Sequence, residues 1–289
     1  MEKDTIIKIN DPDYPAALKE IYDPPALLYV RGRLPDPARV RIAIVGSRKV
    51  SFYGTRMARS IAEELSRAGL VVVSGMALGI DTAAHEGALA GGGPTVAVLA
   101  GGLNHIYPKE NLKLAKRIVE TGGALITENP PEMEPLAGLF PQRNRIISGL
   151  SRGALVVEAA KKSGALITAD CALSQGRDVF AVPGNADSRL SGGTNWLIKE
   201  GAIPVGSAAE ILEEWGLAQP AGCEAPGRPE GLKPLEKRLL KAVEAEPVAV
   251  DDLIERAGGP AREVLAVLSQ LEIRGLLKQL PGKRYSKTK

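Results

Sequence analysis

From Arg41 to about Trp215 the chain alternates short, continuous apolar runs with stretches of helical periodicity, and this alternation restricts its fold more than any other feature. The runs fall at Arg41–Val45, Leu70–Val73, Thr95–Leu99, Ala124–Thr127, Ala154–Val157, Val179–Val182 and Ala202–Val205. Helical patterns lie between most of them, at Tyr53–Ala68, Asp81–Ala90, Leu112–Thr121, Leu166–Ser174 and Thr194–Glu200. A strand that is apolar on both faces must be covered on both faces, and helices that return the chain between strands do this in a parallel sheet. The expected fold class is therefore α/β: an extended Rossmann-like, doubly wound, mostly parallel sheet over residues 41–217.

The flanks read differently. Residues 1–40 are punctuated by prolines and predict a lead-in with one strand, Ala26–Val30, packing on the main domain. Residues 218–234 are rich in proline, glycine and alanine and read as a linker. Beyond it, three helices are expected at Leu235–Glu244, Val250–Arg256 and Ala261–Arg274. A hairpin, Leu276–Leu280 and Arg284–Lys287, turns at Pro281-Gly282. Three helices and a basic hairpin predict a small winged-helix-like domain at 235–289.

Composition sets the class of partner. With 44% hydrophobic and 25% charged residues the chain is globular. The net charge of +3 is too mild to announce a polyanion, so any cationic site must be local. Cys171 and Cys223 match no metal spacing and fit a reducing compartment, while two histidines leave little room for zinc or histidine chemistry. No apolar run approaches the roughly 20 residues that cross a bilayer. The reading is a cytoplasmic protein without membrane partner, metal or cofactor.

Ligands of an open parallel sheet bind beyond the carboxyl ends of its strands. Here those ends carry Gly46-Ser47-Arg48, Ser74-Gly75-Met76-Ala77-Leu78-Gly79-Ile80-Asp81, Gly101-Gly102, Lys161-Lys162-Ser163-Gly164 and Pro183-Gly184-Asn185. Glycines let an anion approach backbone amides, and helix N-termini favour negative charge. Each turn also has an ordinary explanation. Asp81 serves equally well as a helix cap, His85 reads as a packed histidine, and the lysine pair as a solvated face. It is their convergence on one edge that reads as a polyanion site. Neither G-x-G-x-x-G nor a P-loop lysine motif is present, so the sheet alone implies no nucleotide cofactor.

The segment Phe140-Pro141-Gln142-Arg143-Asn144-Arg145-Ile146-Ile147-Ser148-Gly149-Leu150-Ser151 adds an aromatic ring, two arginines, an amide and two hydroxyls at a helix start. Guanidinium groups fork onto phosphates, and a phenylalanine offers a stacking face to an unpaired base. Arg145, Ser148 and Arg152 share one helical face. Gly75, Ser148 and Lys161 join the candidate residues on this reading.

These motifs, together with Ser163-Gly164-Ala165-Leu166-Ile167-Thr168-Ala169 and Gly176-Arg177-Asp178-Val179-Phe180-Ala181-Val182-Pro183-Gly184, resemble the bacterial DNA-processing protein A family (DprA, also called Smf). The likeness runs from about Tyr14 to Trp215. It implies a non-catalytic protein of natural transformation that binds and protects incoming single-stranded DNA, helps load the RecA recombinase, and forms a homodimer through its Rossmann-like domain. It further implies a DNA pocket of Arg48 beside Gly46 and Ser47, with Phe140, Arg143, Asn144 and Arg145, completed by Ser163 and Thr168. Many relatives carry a helical domain before this segment; the chain starts almost at Tyr14, so the functions of that domain are not among the expectations.

Two other functions compete with this one. A nucleotide-processing enzyme, resembling nucleoside-monophosphate phosphoribohydrolases, would need a carboxylate such as Glu158 or Asp170. A transcription factor would read duplex DNA through the C-terminal domain. Its candidate reading helix sets Glu263 and Glu272 against Arg262 and Arg274, a poor charge pattern for the major groove. The basic hairpin Lys278, Lys283, Arg284 and Lys287 leaves contact with duplex DNA or with protein open.

Overall fold

The computed structural model describes residues 4–218, 233–243, 247–273 and 276–287. The chain divides into two compact units, Met1–Pro220 and Ala221–Lys289. The linker expected at 218–234 falls almost wholly outside the described residues, as does Arg274.

The first unit opens with β1 (Thr5–Lys8), α1 (Ala16–Lys19) and β2 (Leu27–Gly32), then winds through β3 (Arg41–Val45), α2 (Phe52–Arg67), β4 (Val71–Ser74), α3 (Ile80–Ala90) and β5 (Thr95–Val98). It continues with α4 (Leu112–Glu120), β6 (Ala124–Thr127), α5 (Leu139–Gly149), β7 (Gly153–Val156), α6 (Gly164–Ser174), β8 (Asp178–Ala181), α7 (Gly192–Lys199), β9 (Ile203–Pro204) and α8 (Ala208–Glu214). Nine strands form one sheet in the order β1-β2-β6-β5-β4-β3-β7-β8-β9. The seven from β6 to β9 run parallel, while β2 pairs antiparallel with β6 and β1 with β2. The Rossmann-like, mostly parallel expectation holds.

Strand periodicity sorts the core. Ile42 and Ile44 of β3 pack with α2, α3 and α8, whereas Ala43 and Val45 pack with α5 and α6 on the other face. Each such isoleucine or valine contributes about 1.5–3 kcal/mol when fully buried. This is why β-branched runs specify these strands without any polar alternation. The lead-in differs from expectation by one strand. In β1 only Ile7 is buried, so its pattern is too thin to read. It forms because β2 offers a partner, in register from Thr5↔Val30 to Lys8↔Leu27.

The second unit contains α9 (Pro234–Ala242), β10 (Val248–Ala249), α10 (Val250–Ala257), α11 (Ala261–Ile273), β11 (Leu277–Leu280) and β12 (Arg284–Lys287). Its core joins Leu239, Leu253, Val264, Leu268 and Leu271 to Leu277 and Tyr285. The three helices and the β10-β12-β11 sheet make a winged helix. Among the described residues no helix is long and apolar enough to cross a membrane.

Candidate nucleic-acid interface

The sheet reverses its winding between β3 and β7, so the loops beyond their carboxyl ends diverge and leave a crevice. A groove of about 1120 Å³ opens there. Its lining comes from the turn after β3 (Gly46 to Lys49), from Ala77 and Asp81 after β4, and from Tyr107 after β5. The first two turns of α5 supply Phe140, Arg143 and Asn144, the start of α6 supplies Ser163, Gly164 and Thr168, and Arg189 lies beyond β8.

The turn after β3 is fixed from below. The Ser47 amide donates to the Glu158 carbonyl at 2.7 Å, and the Glu158 carboxylate accepts from the Ser51 amide (3.0 Å) and hydroxyl (2.5 Å). The Ser51 hydroxyl oxygen also accepts from the Gly54 amide, capping α2. This turn interlocks with the next one, because the Ile80 amide donates to the Ser47 carbonyl at 3.2 Å. Gly79, at φ +86°, permits that approach, since a Cβ there would strike the Ser47 carbonyl. Glu158 is thus a clamp for the loop that carries Arg48. Asp170 is exposed on α6 outside the groove lining. Neither carboxylate considered for an enzyme is placed to assist bond cleavage.

On the rim, the Arg48 guanidinium lies over the Phe140 ring, 4.9 Å from its centroid, a cation–π arrangement. Tyr107 meets Phe140 edge-on, with centroids 5.9 Å apart and planes at 71°. Arg48, Lys49, Lys162 and Arg189 are exposed, and among the described residues none has a carboxylate partner. The start of α6 adds the positive end of a helix dipole, with Ser163 capping the Ala165 amide.

The floor is a buried pair of opposite charge. The Arg143 side chain is 5% exposed and donates to the carbonyls of Gly75 (2.5 Å) and Val98. Burial lowers its pKa to about 10, with Asp81 opposing the shift. Asp81 accepts from the Ala77 amide at 3.2 Å. Burial raises its carboxyl above the ordinary range, against the pull of Arg143. Gly75 sits against both groups, and a Cβ there would lie 2.6–2.7 Å from the guanidinium and the carboxylate. His85 is buried behind them. Its Nδ1 donates to the Thr95 hydroxyl (2.8 Å), which spends its one proton on the Val72 carbonyl (2.6 Å). Burial first, then Arg143, push the His85 pKa down to about 3, so it is a packed neutral side chain.

Of the residues singled out in the sequence, Gly46, Ser47, Arg48, Phe140, Arg143, Asn144, Ser163 and Thr168 line the groove, whereas Gly75, Arg145, Ser148 and Lys161 do not. Arg145 needs correction as a phosphate ligand. At 100° per residue it points about 200° away from Arg143, where Glu128 takes its guanidinium in a two-pronged pair (2.7 and 2.7 Å) and Asp23 adds a contact at 3.0 Å. Ser148 is buried and its hydroxyl turns back to the carbonyls of Asn144 and Arg145. Lys161 leans toward Gly192, while its neighbour Lys162 faces the groove. Gly75 acts one layer deeper, as the space Arg143 requires. Sequence reading missed Tyr107, Lys49 and Arg189. No local signal marks them, since their meeting depends on loops from three different strands.

A family model described as DNA recombination-mediator protein A matches residues 5–216, and one described as DprA winged helix domain matches residues 224–283. Protein Smf of Escherichia coli (strain K12) is 44% identical over 284 residues, spanning 96% of this chain and 76% of that protein. DNA processing protein DprA of Bacillus subtilis (strain 168) is 47% identical over 209 residues, 72% of this chain and 70% of that protein. Among solved structures, DprA from Streptococcus pneumoniae superposes with a TM-score of 0.68 at 43% identity, covering 73% of this chain and 74% of that one. DNA processing protein A from Helicobacter pylori, described for its single-stranded DNA binding mode, gives 0.66 at 29% identity, covering 74% and 96%.

Proposed function

The chain belongs to the DNA recombination-mediator protein A family, and from that premise we propose that its β3/β7 groove binds single-stranded DNA for recombination, including natural transformation. The observation that carries this reading is the Arg48–Phe140 stack on a rim of cations that form no ion pair among the described residues. Guanidinium and ammonium groups neutralise phosphates, and the aromatic face accepts any unpaired base. In the free protein Arg48 covers the Phe140 ring, so a base stacking on that face takes its place and sends the guanidinium to the adjoining phosphate. The buried Arg143 holds the floor beneath. A competition assay at defined salt among single-stranded DNA, duplex and RNA tests the reading. Expected are preference for the single strand and a log–log salt slope of about −0.7 per phosphate neutralised. Equal binding of all three, or a flat salt response, would remove it.

The groove acts within an assembly on this reading. Homodimerisation through the Rossmann-like unit is supported by Trp196, exposed on α7 just before the edge strand β9. RecA is the recombinase partner that fits a mediator of strand exchange. Light scattering of the full chain, alone and with RecA, tests both. A mass of one chain, unchanged by the recombinase, would exclude them.

For the winged helix we favour duplex DNA over protein as partner. Leu277 and Tyr285 turn one face of the β11–β12 hairpin into the core, leaving Lys278 and Arg284 exposed on the other and Lys283 at its tip. None of the three has a carboxylate partner among the described residues. The exposed Arg262 and Glu263 at the start of α11 oppose each other, which suits backbone contact rather than sequence reading. Changing Lys278, Lys283 and Arg284 to glutamate together is expected to weaken duplex binding and flatten its salt slope by about 2–3, since each lost phosphate contact removes about 0.9. Single-strand affinity should stay. Unchanged duplex binding would leave protein as the partner.

A further inference from the structure

We propose that Tyr107 is a second platform for an unpaired nucleobase, adjoining Phe140; the inference rests on the single-stranded DNA reading of this groove. The chain has few aromatic residues, and most of the larger ones are explained by packing. Phe180 and Trp215 pack edge-to-face in the core, and the Tyr14 hydroxyl donates to the Pro25 carbonyl. Tyr107 has no such explanation. The residue is 52% exposed on the groove wall, and its hydroxyl bonds to no described residue.

The backbone that carries the ring is nonetheless firmly mounted. The next residue, Pro108, accepts from the Asn111 amide at 3.1 Å, and the buried Asn111 side chain donates to the Met76 carbonyl (2.8 Å) and the Thr82 hydroxyl (2.9 Å). Met76 takes a left-handed conformation, φ 72°, rare for a side-chain-bearing residue and a mark of backbone held in place by its surroundings. Tyr107 is thereby pinned to the turn after β4, part of the groove floor. A half-exposed aromatic on anchored backbone beside a stacking residue offers a large contact surface at little entropic cost.

The 71° between the rings gives the site a shape. Two bases lying on planes so far from parallel cannot stay stacked on each other. A strand using both rings is opened between neighbouring nucleotides, a geometry that a paired duplex resists and a single strand adopts freely.

The test uses the full chain and two fluorescent oligonucleotides of equal length and charge, one oligo-dT and one abasic. Tyr107→Ala and Tyr107→Leu are expected to lower affinity for oligo-dT roughly five- to hundredfold, the loss of one base–aromatic stack, and to leave abasic affinity unchanged. Tyr107→Phe should bind both as the parent does. Equal oligo-dT affinity of the parent and both truncations would overturn this inference while the groove assignment stands. Parallel losses on both oligonucleotides would overturn it too, by showing a structural role. A parent chain that binds neither oligonucleotide would overturn the groove assignment along with it.

Discussion

A chain carrying Arg48→Glu is expected to bind single-stranded DNA about a hundredfold more weakly while unfolding at nearly the parent temperature. Arg48 is exposed, its backbone is fixed by Ser47 and Glu158, and its side chain lies over the Phe140 ring with no hydrogen bond or ion pair to a described residue. Stability therefore has little to lose. A charge-assisted hydrogen bond contributes about 1.5–3 kcal/mol, each 1.4 kcal/mol is tenfold in affinity, and reversal adds repulsion from the phosphates. Fluorescence anisotropy beside a thermal melt reads both quantities. Arg145→Glu is the contrasting control. It removes the pairs that fasten α5 to Asp23 in the lead-in and to Glu128 after β6, so it should lower the melting temperature and leave the groove's affinity largely intact. If Arg145→Glu abolished binding in a chain that melts normally, the assignment of roles on α5 would be wrong.

Arg143→Met should be the most destabilising single change in the groove, costing about 3–5 kcal/mol in chemical denaturation. The substitution leaves the carbonyls of Gly75 and Val98 without a donor and strands Asp81 as a buried charge. Adding Asp81→Asn is expected to recover part of the loss, because the stranded charge disappears. Two such neighbours do not act independently. The pH response of the single variant carries a definite sign. Burial already raises the Asp81 carboxyl above its unfolded value, and loss of Arg143 raises it further. The folded state then binds the proton at a pH where the unfolded chain does not, so this contribution is fully present below the unfolded pKa and is lost as pH rises from there through the folded pKa. Arg143→Met should accordingly regain stability on mild acidification. Equal stability at both pH values, with no benefit from Asp81→Asn, would mean the two groups are uncoupled.

What the sequence could disclose follows from how each feature is encoded. Strands β3 and β6 begin and end where their apolar runs do, because a strand covered on both faces leaves a contiguous trace. Short or peripheral elements leave almost none. β1 buries one side chain, β10 has two residues, and α8 is announced chiefly by the Ser207 cap. The antiparallel sense of β2 is a property of pairing rather than composition. In the groove, the glycine- and serine-rich turns were visible because close backbone approach demands those residue types. Rotation about α5 was not. Arg143 and Arg145 are chemically identical and two residues apart, and only the packed helix shows that one faces the floor and the other faces Glu128 and Asp23. Tyr107 was invisible for a related reason: its neighbour Phe140 follows another strand.

The interlocking of the turns after β3 and β4, through Ser47, Gly79 and Ile80 above Glu158, bears on kinetics. A cradle assembled before its guest arrives needs no closing step, so capture should be limited by diffusion and electrostatic steering. Added salt should then slow arrival, while the aromatic rings should mainly govern how long a captured strand stays.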